Sequence, residues 1–223
     1  MGKLIVIEGL DGCGKSTQLE LLEKNLTAAG IDNRSVSFPD YNENSSALVK
    51  MYLGGEFGKN PGDVNAYAAS LFYAVDRYAS FKKHWQEYYE GGGTVISGRY
   101  VTSNAVHQTA KLPEKEWEEY LSWLYSLEYG KVGIPKPDLV IFLDMPPELS
   151  KKLLEKRYGG VEEKKDIHEK DIEYQQNCRK AALYNVANAG WRAISCADGE
   201  RIRTVEEIAG DVLAAAMEVI LKD

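Results

Sequence analysis

Cysteine is scarce: Cys13, Cys178 and Cys196 are the only three in 223 residues, with no C-x-x-C pair. An odd, dispersed set supplies neither a disulfide framework nor a zinc site, and reduced thiols suit a cytoplasmic protein. Long apolar runs are also missing. The first, Leu4 to Ile7, is too short for a signal peptide, and none approaches the roughly 18 residues that span a bilayer. Positive charge is in deficit: 27 Lys and Arg against 34 Asp and Glu give a net −7. A chain built to neutralise many nucleic-acid phosphates would carry the opposite balance. These absences exclude secreted disulfide scaffolds, membrane spans and general nucleic-acid binders. They leave room for one small anion in a locally positive pocket. Repeats and low-complexity tracts are absent as well, and the 44% apolar fraction is that of an ordinary globular core. The length predicts one domain, 1–223.

Strand-like and helix-like segments alternate along the chain. Lys3–Glu8, Arg34–Phe38, Thr94–Ser97, Leu139–Leu143 and Arg192–Cys196 read as short, β-branched-rich strands. Between them lie helical patterns over Ser16–Ala29, Asp63–Glu90, Pro113–Tyr129, Pro147–Arg157 and Lys170–Ala189. Thr204 with Glu207 three residues on predicts a capping box opening a last helix. In the longest helix Tyr67, Leu71, Ala74, Tyr78, Phe81 and Trp85 recur every three or four residues, a stripe read as core or subunit contact. The alternation implies an α/β fold: a five-stranded parallel sheet covered by helices on both faces.

Gly9-Leu10-Asp11-Gly12-Cys13-Gly14-Lys15-Ser16, followed by Thr17, fits G-x-x-x-x-G-K-[ST] in full. It follows a predicted strand and opens a predicted helix, the context that gives the motif its meaning. Glycines let successive amide N–H groups turn toward phosphate oxygens, and the helix N-terminus adds partial positive charge. Lys15 then reaches the β- and γ-phosphates and the Ser16 hydroxyl ligates Mg²⁺. This is the P-loop NTPase fold, predicted to bind ATP with Mg²⁺. No N-K-x-D guanine-reading motif is present, which disfavours a GTPase.

Beyond the P-loop, the chain carries F-P-x-Y (38–41), L-F-Y-A-V-D-R (71–77), G-R-Y-x-x-S-N-A-V-x-Q (98–108), P-K-P-D-L-V-I-F-L (135–143) and a charged segment near 156–169. In that order these motifs resemble the thymidylate kinase family over essentially the whole chain. The resemblance implies transfer of phosphate from ATP to dTMP, giving dTDP, in a homodimer with a mobile lid at about 156–169. It places Asp11 near the sugar 3′-hydroxyl of the acceptor, and Phe38, Pro39 and Tyr41 at the wall of the base site. Tyr73 takes the position that stacks on thymine, with Phe72 as the fallback register. Arg77, four residues on, shares its face. Lacking an acidic neighbour at helical spacing, Arg77 is expected to clamp the 5′-phosphate together with Arg99. Gln108, with Ser103 or Asn104, is expected to bond the polar edge of thymine. Tyr174, with Asp166 and Glu169, loosely matches the lid-to-helix region, and His168 reads as a surface residue. With Gly12 where some members carry a P-loop arginine, the resemblance assigns the catalytic arginine to the lid, where Arg157 is available.

One departure stands out. Most members carry Asp before the arginine that follows the third strand; here Ser97-Gly98-Arg99-Tyr100 has glycine. By resemblance that aspartate holds a Mg²⁺-bound water, so altered Mg²⁺ dependence is expected, with Glu8 as a substitute carboxylate acting through water. Rival readings are a kinase for another nucleoside monophosphate or a deoxynucleoside, and a nucleotide-sensing module without turnover.

Overall fold

The computed structural model describes residues 1–150, 153 and 172–222. The lid segment 156–169, with Arg157, Asp166, His168 and Glu169, lies outside the described residues, as does most of the helix expected over Pro147–Arg157.

The first strand, β1 (Lys3–Gly9), has no polar alternation, and Leu4 to Ile7 are all at 0% exposure. A strand reads this way when both faces of its sheet are covered. It pairs in parallel with β3 (Thr94–Gly98) on one side and β4 (Leu139–Asp144) on the other. β2 (Asn33–Ser37) and β5 (Arg192–Ser195) complete a five-stranded sheet of order β2-β3-β1-β4-β5. All five predicted strands are present, with ends shifted by a residue or two.

Alternate residues of each strand feed two cores. Leu4, Val6, Val95, Val140 and Phe142 enter one apolar cluster. It is closed by α3 (Ala66–Ser80), α5 (Val101–His107), α6 (Trp117–Tyr125) and α7 (Ile172–Asn188), named after α1 (Lys15–Ala28), α2 (Ala47–Leu53) and α4 (Gln86–Glu90). Ile5, Ile7, Ile96, Ile141 and Leu143 enter the other, against Leu22 and Leu26 of α1 and Ile208 and Val212 of α8 (Val205–Ile220). Each such side chain is worth about 1.5–3 kcal/mol of burial, so the two clusters supply most of the driving force. α8 opens with the expected capping box, Glu207 N–H to Thr204 Oγ1 at 3.2 Å and Thr204 N–H to Glu207 Oε2 at 2.7 Å.

The long helix differs from expectation in two ways. It starts at Ala66, where Asn65 Oδ1 accepts from the Ala68 N–H at 2.8 Å, and Asp63 instead belongs to a preceding tight turn. Wider π-type winding over Phe81–Trp85 then separates α3 from α4. The stripe divides in burial along its length. Ala74, Phe81 and Trp85 are buried, whereas Tyr67, Leu71 and Tyr78 stand 37%, 46% and 45% exposed. Two elements were not expected: α2, and a short hairpin of β6 (Ala197–Asp198) and β7 (Arg201–Ile202). No helix among the described residues is long and apolar enough to cross a membrane.

Candidate active site

β1, β2 and β3 end side by side, with Ser37 and Ile7 both registered against Gly98. Each runs straight into a segment singled out by its sequence: the Gly-rich loop after β1, Phe38-Pro39 after β2 and Arg99 after β3. Open α/β sheets bind ligands at this carboxyl edge.

The loop between β1 and α1 curls through glycines at φ 158° (Gly9), 81° (Gly12) and 90° (Gly14). At Gly9 a Cβ would meet Cys13 Sγ at 2.5 Å, so only glycine packs there. At Gly14 a Cβ would meet nothing within 4 Å; glycine is required by the left-handed backbone alone. Gly14 is the N-cap and offers no side chain to the first-turn amides, which leaves them for an anion. Lys15 folds back over the loop, its Nζ donating to the carbonyls of Gly9 (2.7 Å) and Leu10 (2.8 Å). Ser16 and Thr17 stand exposed beside it, whereas Leu10 and Cys13 are buried under the loop. Burial pushes the Cys13 thiol up, which keeps it protonated despite nearby Lys15.

Next to the loop opens a cleft at the carboxyl edge of the sheet. Asp11 forms one rim. Phe38, Pro39 and Tyr41 form a wall after β2, Tyr73 and Arg77 another from α3, and Arg99, Ser103, Asn104 and Gln108 the third from β3 and α5. Tyr73 rather than Phe72 faces the cleft; Phe72 packs outward against Phe57 and Tyr52, at ring separations of 5.6 and 6.3 Å. Phe38 is both wall and core, 4% exposed and 5.9 Å from the Tyr100 ring. Tyr174 does not line the cleft: it is buried behind α5, donating its hydroxyl to the His107 carbonyl at 2.7 Å.

The two arginines are held differently. Arg99 has a left-handed backbone, φ 68°, uncommon for a residue with a side chain and characteristic of functional loops. Its Nη2 bonds Asp11 Oδ1 and its Nη1 lies 3.0 Å from His107 Nε2. Burial opposes its charge, but the Asp11 and Glu8 carboxylates outweigh that and hold its pKa above the ordinary value. It is a permanent cation on the rim it shares with the P-loop. Arg77 is 1% exposed and does have an acidic partner, one that helical spacing could not reveal. Its Nε donates to Glu128 Oε2 at 2.7 Å, its Nη2 to Glu128 Oε1, and its Nη1 to the Tyr100 carbonyl at 3.2 Å. Glu128, at 0% exposure in the π-type turns after α6, cancels that charge. Both arginines line the cleft, and each is already engaged with a carboxylate, Arg77 with buried Glu128 and Arg99 with Asp11 on the P-loop.

Glu8 is held at the end of β1 by three donors. It is 1% exposed and accepts from Thr102 Oγ1 and Ser103 Oγ, each at 2.8 Å, and from the Gly9 N–H at 3.2 Å. A carboxylate tied in this way links α5 to β1. Gln108 has the opposite character. It is 1% exposed, lines the cleft, and its Oε1 has no hydrogen-bond partner, an acceptor left waiting for a donor. Asn104 Nδ2 is engaged with the Ser70 carbonyl at 3.3 Å.

Sequence reasoning missed three residues here: Glu128, His107 and Asp76. Asp76 fixes the wall after β2, accepting from the Asp40 N–H (2.9 Å) and the Ser45 hydroxyl (2.7 Å). Asp76 and His107 both sat inside quoted motifs, so position was a signal; Glu128 carried none.

A curled amide loop on a parallel sheet, beside a cleft with a fixed cation, defines a P-loop nucleotide phosphotransferase. The comparisons narrow the class. A family model described as thymidylate kinase matches residues 7–208. A thymidylate kinase from Mycobacterium tuberculosis is 34% identical over 194 residues, 84% of this chain and 87% of its own. A probable thymidylate kinase from Pyrobaculum aerophilum is 30% identical over 216 residues, 97% of both chains. A solved structure of thymidylate kinase from Candida albicans superposes with a TM-score of 0.73 at 23% identity, covering 97% of this chain and 91% of that one. The chain belongs to the thymidylate kinase family.

Proposed function

We propose that this protein transfers the γ-phosphoryl group of ATP to the 5′-phosphate of dTMP, giving ADP and dTDP. The observation that carries the reading is the Arg99–Asp11 ion pair, which joins the P-loop to the rim of the acceptor cleft. It puts a cation where an acceptor phosphate must sit to attack a phosphate held by the loop.

The attacking group is a phosphate oxygen, already anionic at neutral pH, so no strong general base is required. Catalysis is then in-line positioning and charge neutralisation. The amides from Gly9 to Thr17 cradle the donor, and Lys15 exchanges its carbonyl contacts for phosphate oxygens. Arg99 holds the acceptor phosphate with its planar fork, and Asp11 lies toward the sugar 3′-hydroxyl. Tyr73 and Phe38 sandwich the base between apolar faces. The unpaired Gln108 Oε1 suits the one ring N–H of thymine, which lies between two carbonyls. Arg157 supplies transition-state charge from the lid. Mg²⁺ fits this donor set: it takes one or two protein oxygens plus phosphates, and the exposed Ser16 hydroxyl opens α1 at the loop. When bound, it neutralises charge on the transferred phosphoryl group.

The whole of 1–223 acts as one kinase domain in the cytoplasm. The exposed apolar face of α3, with Leu71, Val75 and Tyr78, supports a homodimer.

ATP consumption is measured with dTMP, dUMP, dCMP, dGMP and thymidine in turn. The reading predicts strong turnover with dTMP and weak or none with thymidine. Preference for another monophosphate, or for a nucleoside, reassigns the acceptor. Bound ATP with no turnover on any acceptor identifies a sensor.

A further inference from the structure

Lys111 stands outside the acceptor cleft, half-buried in the turn Thr109–Lys111 that follows α5. Its ammonium has three N–H donors. One goes to the Tyr52 hydroxyl at 2.8 Å and another to the Val64 carbonyl at 3.0 Å. Tyr52 lies at the end of α2, and Val64 stands just ahead of Asn65, the N-cap of α3. Lys111 therefore grips both ends of a linking loop whose glycines take left-handed backbones, φ 75° at Gly55 and 146° at Gly58. A helix of seven residues does not hold itself in water, so α2 depends on such anchors. Both anchored segments serve the cleft. Tyr52 is 1% exposed and its ring stands edge-on to the Tyr73 ring, 6.3 Å away at 90°. Tyr73 and Leu53, the neighbour of Tyr52, line the cleft. Lys111 is also tied to the opposite wall by its own backbone, its N–H donating to the Gln108 carbonyl at 3.1 Å.

We propose that Lys111 is a positioning residue for the acceptor base: acting through Tyr52, it sets the distance between the Tyr73 ring and the Gln108 amide. A nucleobase is a flat plate that must meet a stacking face and a hydrogen-bonding edge at once. Here the face comes from α3 and the edge from the end of α5, two separate elements. Such a constellation must be held to within about 0.5 Å, and the side chains behind the contact residues supply that hold. Lys111 joins the two elements by three contacts in series: the Gln108 carbonyl to its N–H, its Nζ to the Tyr52 hydroxyl, and the Tyr52 ring to Tyr73. The bond to the Val64 carbonyl adds a second hold, at the entry to the helix that carries Tyr73. Among the described residues the Lys111 Nζ hydrogen-bonds to these two partners and to no P-loop group, so its removal is felt by the acceptor and not by ATP. This inference rests on Tyr73 and Gln108 meeting thymine, as proposed above.

The test compares wild type with Lys111→Met, which keeps an unbranched stem and loses both Nζ bonds, and with Tyr52→Phe, which keeps the ring and loses the oxygen that Lys111 grips. KM for dTMP should rise about tenfold in Lys111→Met and roughly threefold in Tyr52→Phe, with kcat and the KM for ATP within about twofold of wild type. In a Tyr73→Leu background Lys111→Met should add less than about twofold, because the ring it positions is gone and effects that run through one residue do not add. A bond that only stabilised the fold would show neither the split between substrates nor this dependence on Tyr73. An unchanged KM for dTMP, an equal rise in the KM for ATP, or the full tenfold rise persisting beside Tyr73→Leu overturns the proposal. If Lys111→Met does not fold, Tyr52→Phe decides alone by the same criteria. Hydrogen exchange of the unliganded protein needs no turnover: amides over 52–65 should exchange about tenfold faster in Lys111→Met, and unchanged exchange there overturns the link itself. A Tyr73→Leu variant whose own KM for dTMP stays at the wild-type value, with the exchange result intact, would overturn the base assignment and the inference with it.

Discussion

Removing Glu128 should destabilise this protein more than almost any other single carboxylate change. Glu128 and Arg77 are 0% and 1% exposed, and the pair shares two parallel hydrogen bonds. In Glu128→Ala, Arg77 keeps only the Tyr100 carbonyl, so a buried cation loses its counter-ion. Leaving one member of such a pair uncompensated costs about 3–5 kcal/mol. That is a large part of the roughly 5–15 kcal/mol that holds a domain together. At about 2–4 °C per kcal/mol for a chain of this size, the midpoint should fall by roughly 6–20 °C. Urea unfolding followed by tryptophan fluorescence reads the change, since Trp85 packs beside Tyr100 at 6.4 Å. The double variant Arg77→Met/Glu128→Leu removes both charges and should recover most of the loss, because a buried ion pair contributes little net stability over apolar residues of similar volume. A cost below about 1 kcal/mol for Glu128→Ala, or a double variant as unstable as the sum of the singles, would refute the reasoning.

Other changes separate the remaining parts. Arg99→Lys keeps the charge but loses the fork, so kcat/KM for dTMP should fall about 10- to 100-fold with the KM for ATP little changed; equal effects on both substrates would contradict a role confined to the acceptor. Gly98→Asp should fold, since its Cβ meets only the flexible end of Leu19 at 3.0 Å and Ser37 Oγ at 3.4 Å. It should lower the Mg²⁺ concentration needed for half-maximal turnover, and an unchanged Mg²⁺ profile removes the significance attached to Gly98. Burial pushes Lys111 down to about 8 from 10.5. Between those values the unfolded chain binds the extra proton, so stability gains with rising pH across that window. Lys111→Met should lack that gain, about 1 kcal/mol after allowance for partial exposure; parallel stability–pH curves would disprove it.

The parts of the fold that depend on near neighbours in sequence were legible. Five apolar runs bounded by turns marked the five strands, and Thr204 with Glu207 marked the start of α8, because a cap is a contact across three residues. The P-loop was legible for the same reason: its glycines, Lys15 and Ser16 act within one turn of chain. Interactions across long separations were not. Arg77 and Glu128 lie 51 residues apart, and only the packing of α3 against the turns after α6 brings them together. Arg77 therefore looked like a free phosphate ligand when its charge was already matched. The stripe read as core or subunit contact divides into buried members (Ala74, Phe81, Trp85) and exposed ones (Tyr67, Leu71, Tyr78), because periodicity within a helix does not tell what packs opposite each position. The two α5 hydroxyls on Glu8 lie 94 and 95 residues away from it in sequence, beyond what local spacing reveals.

The central claim is that one cleft, rimmed by Asp11 and Arg99, receives an acceptor monophosphate beside the P-loop. A crystal structure with ADP and dTMP bound together tests it most directly. The account predicts the dTMP phosphate on the Arg99 guanidinium, thymine against the Tyr73 ring and its N–H on Gln108 Oε1. A cleft that remains empty while ADP fills the P-loop, or dTMP seated elsewhere on the molecule, would contradict it.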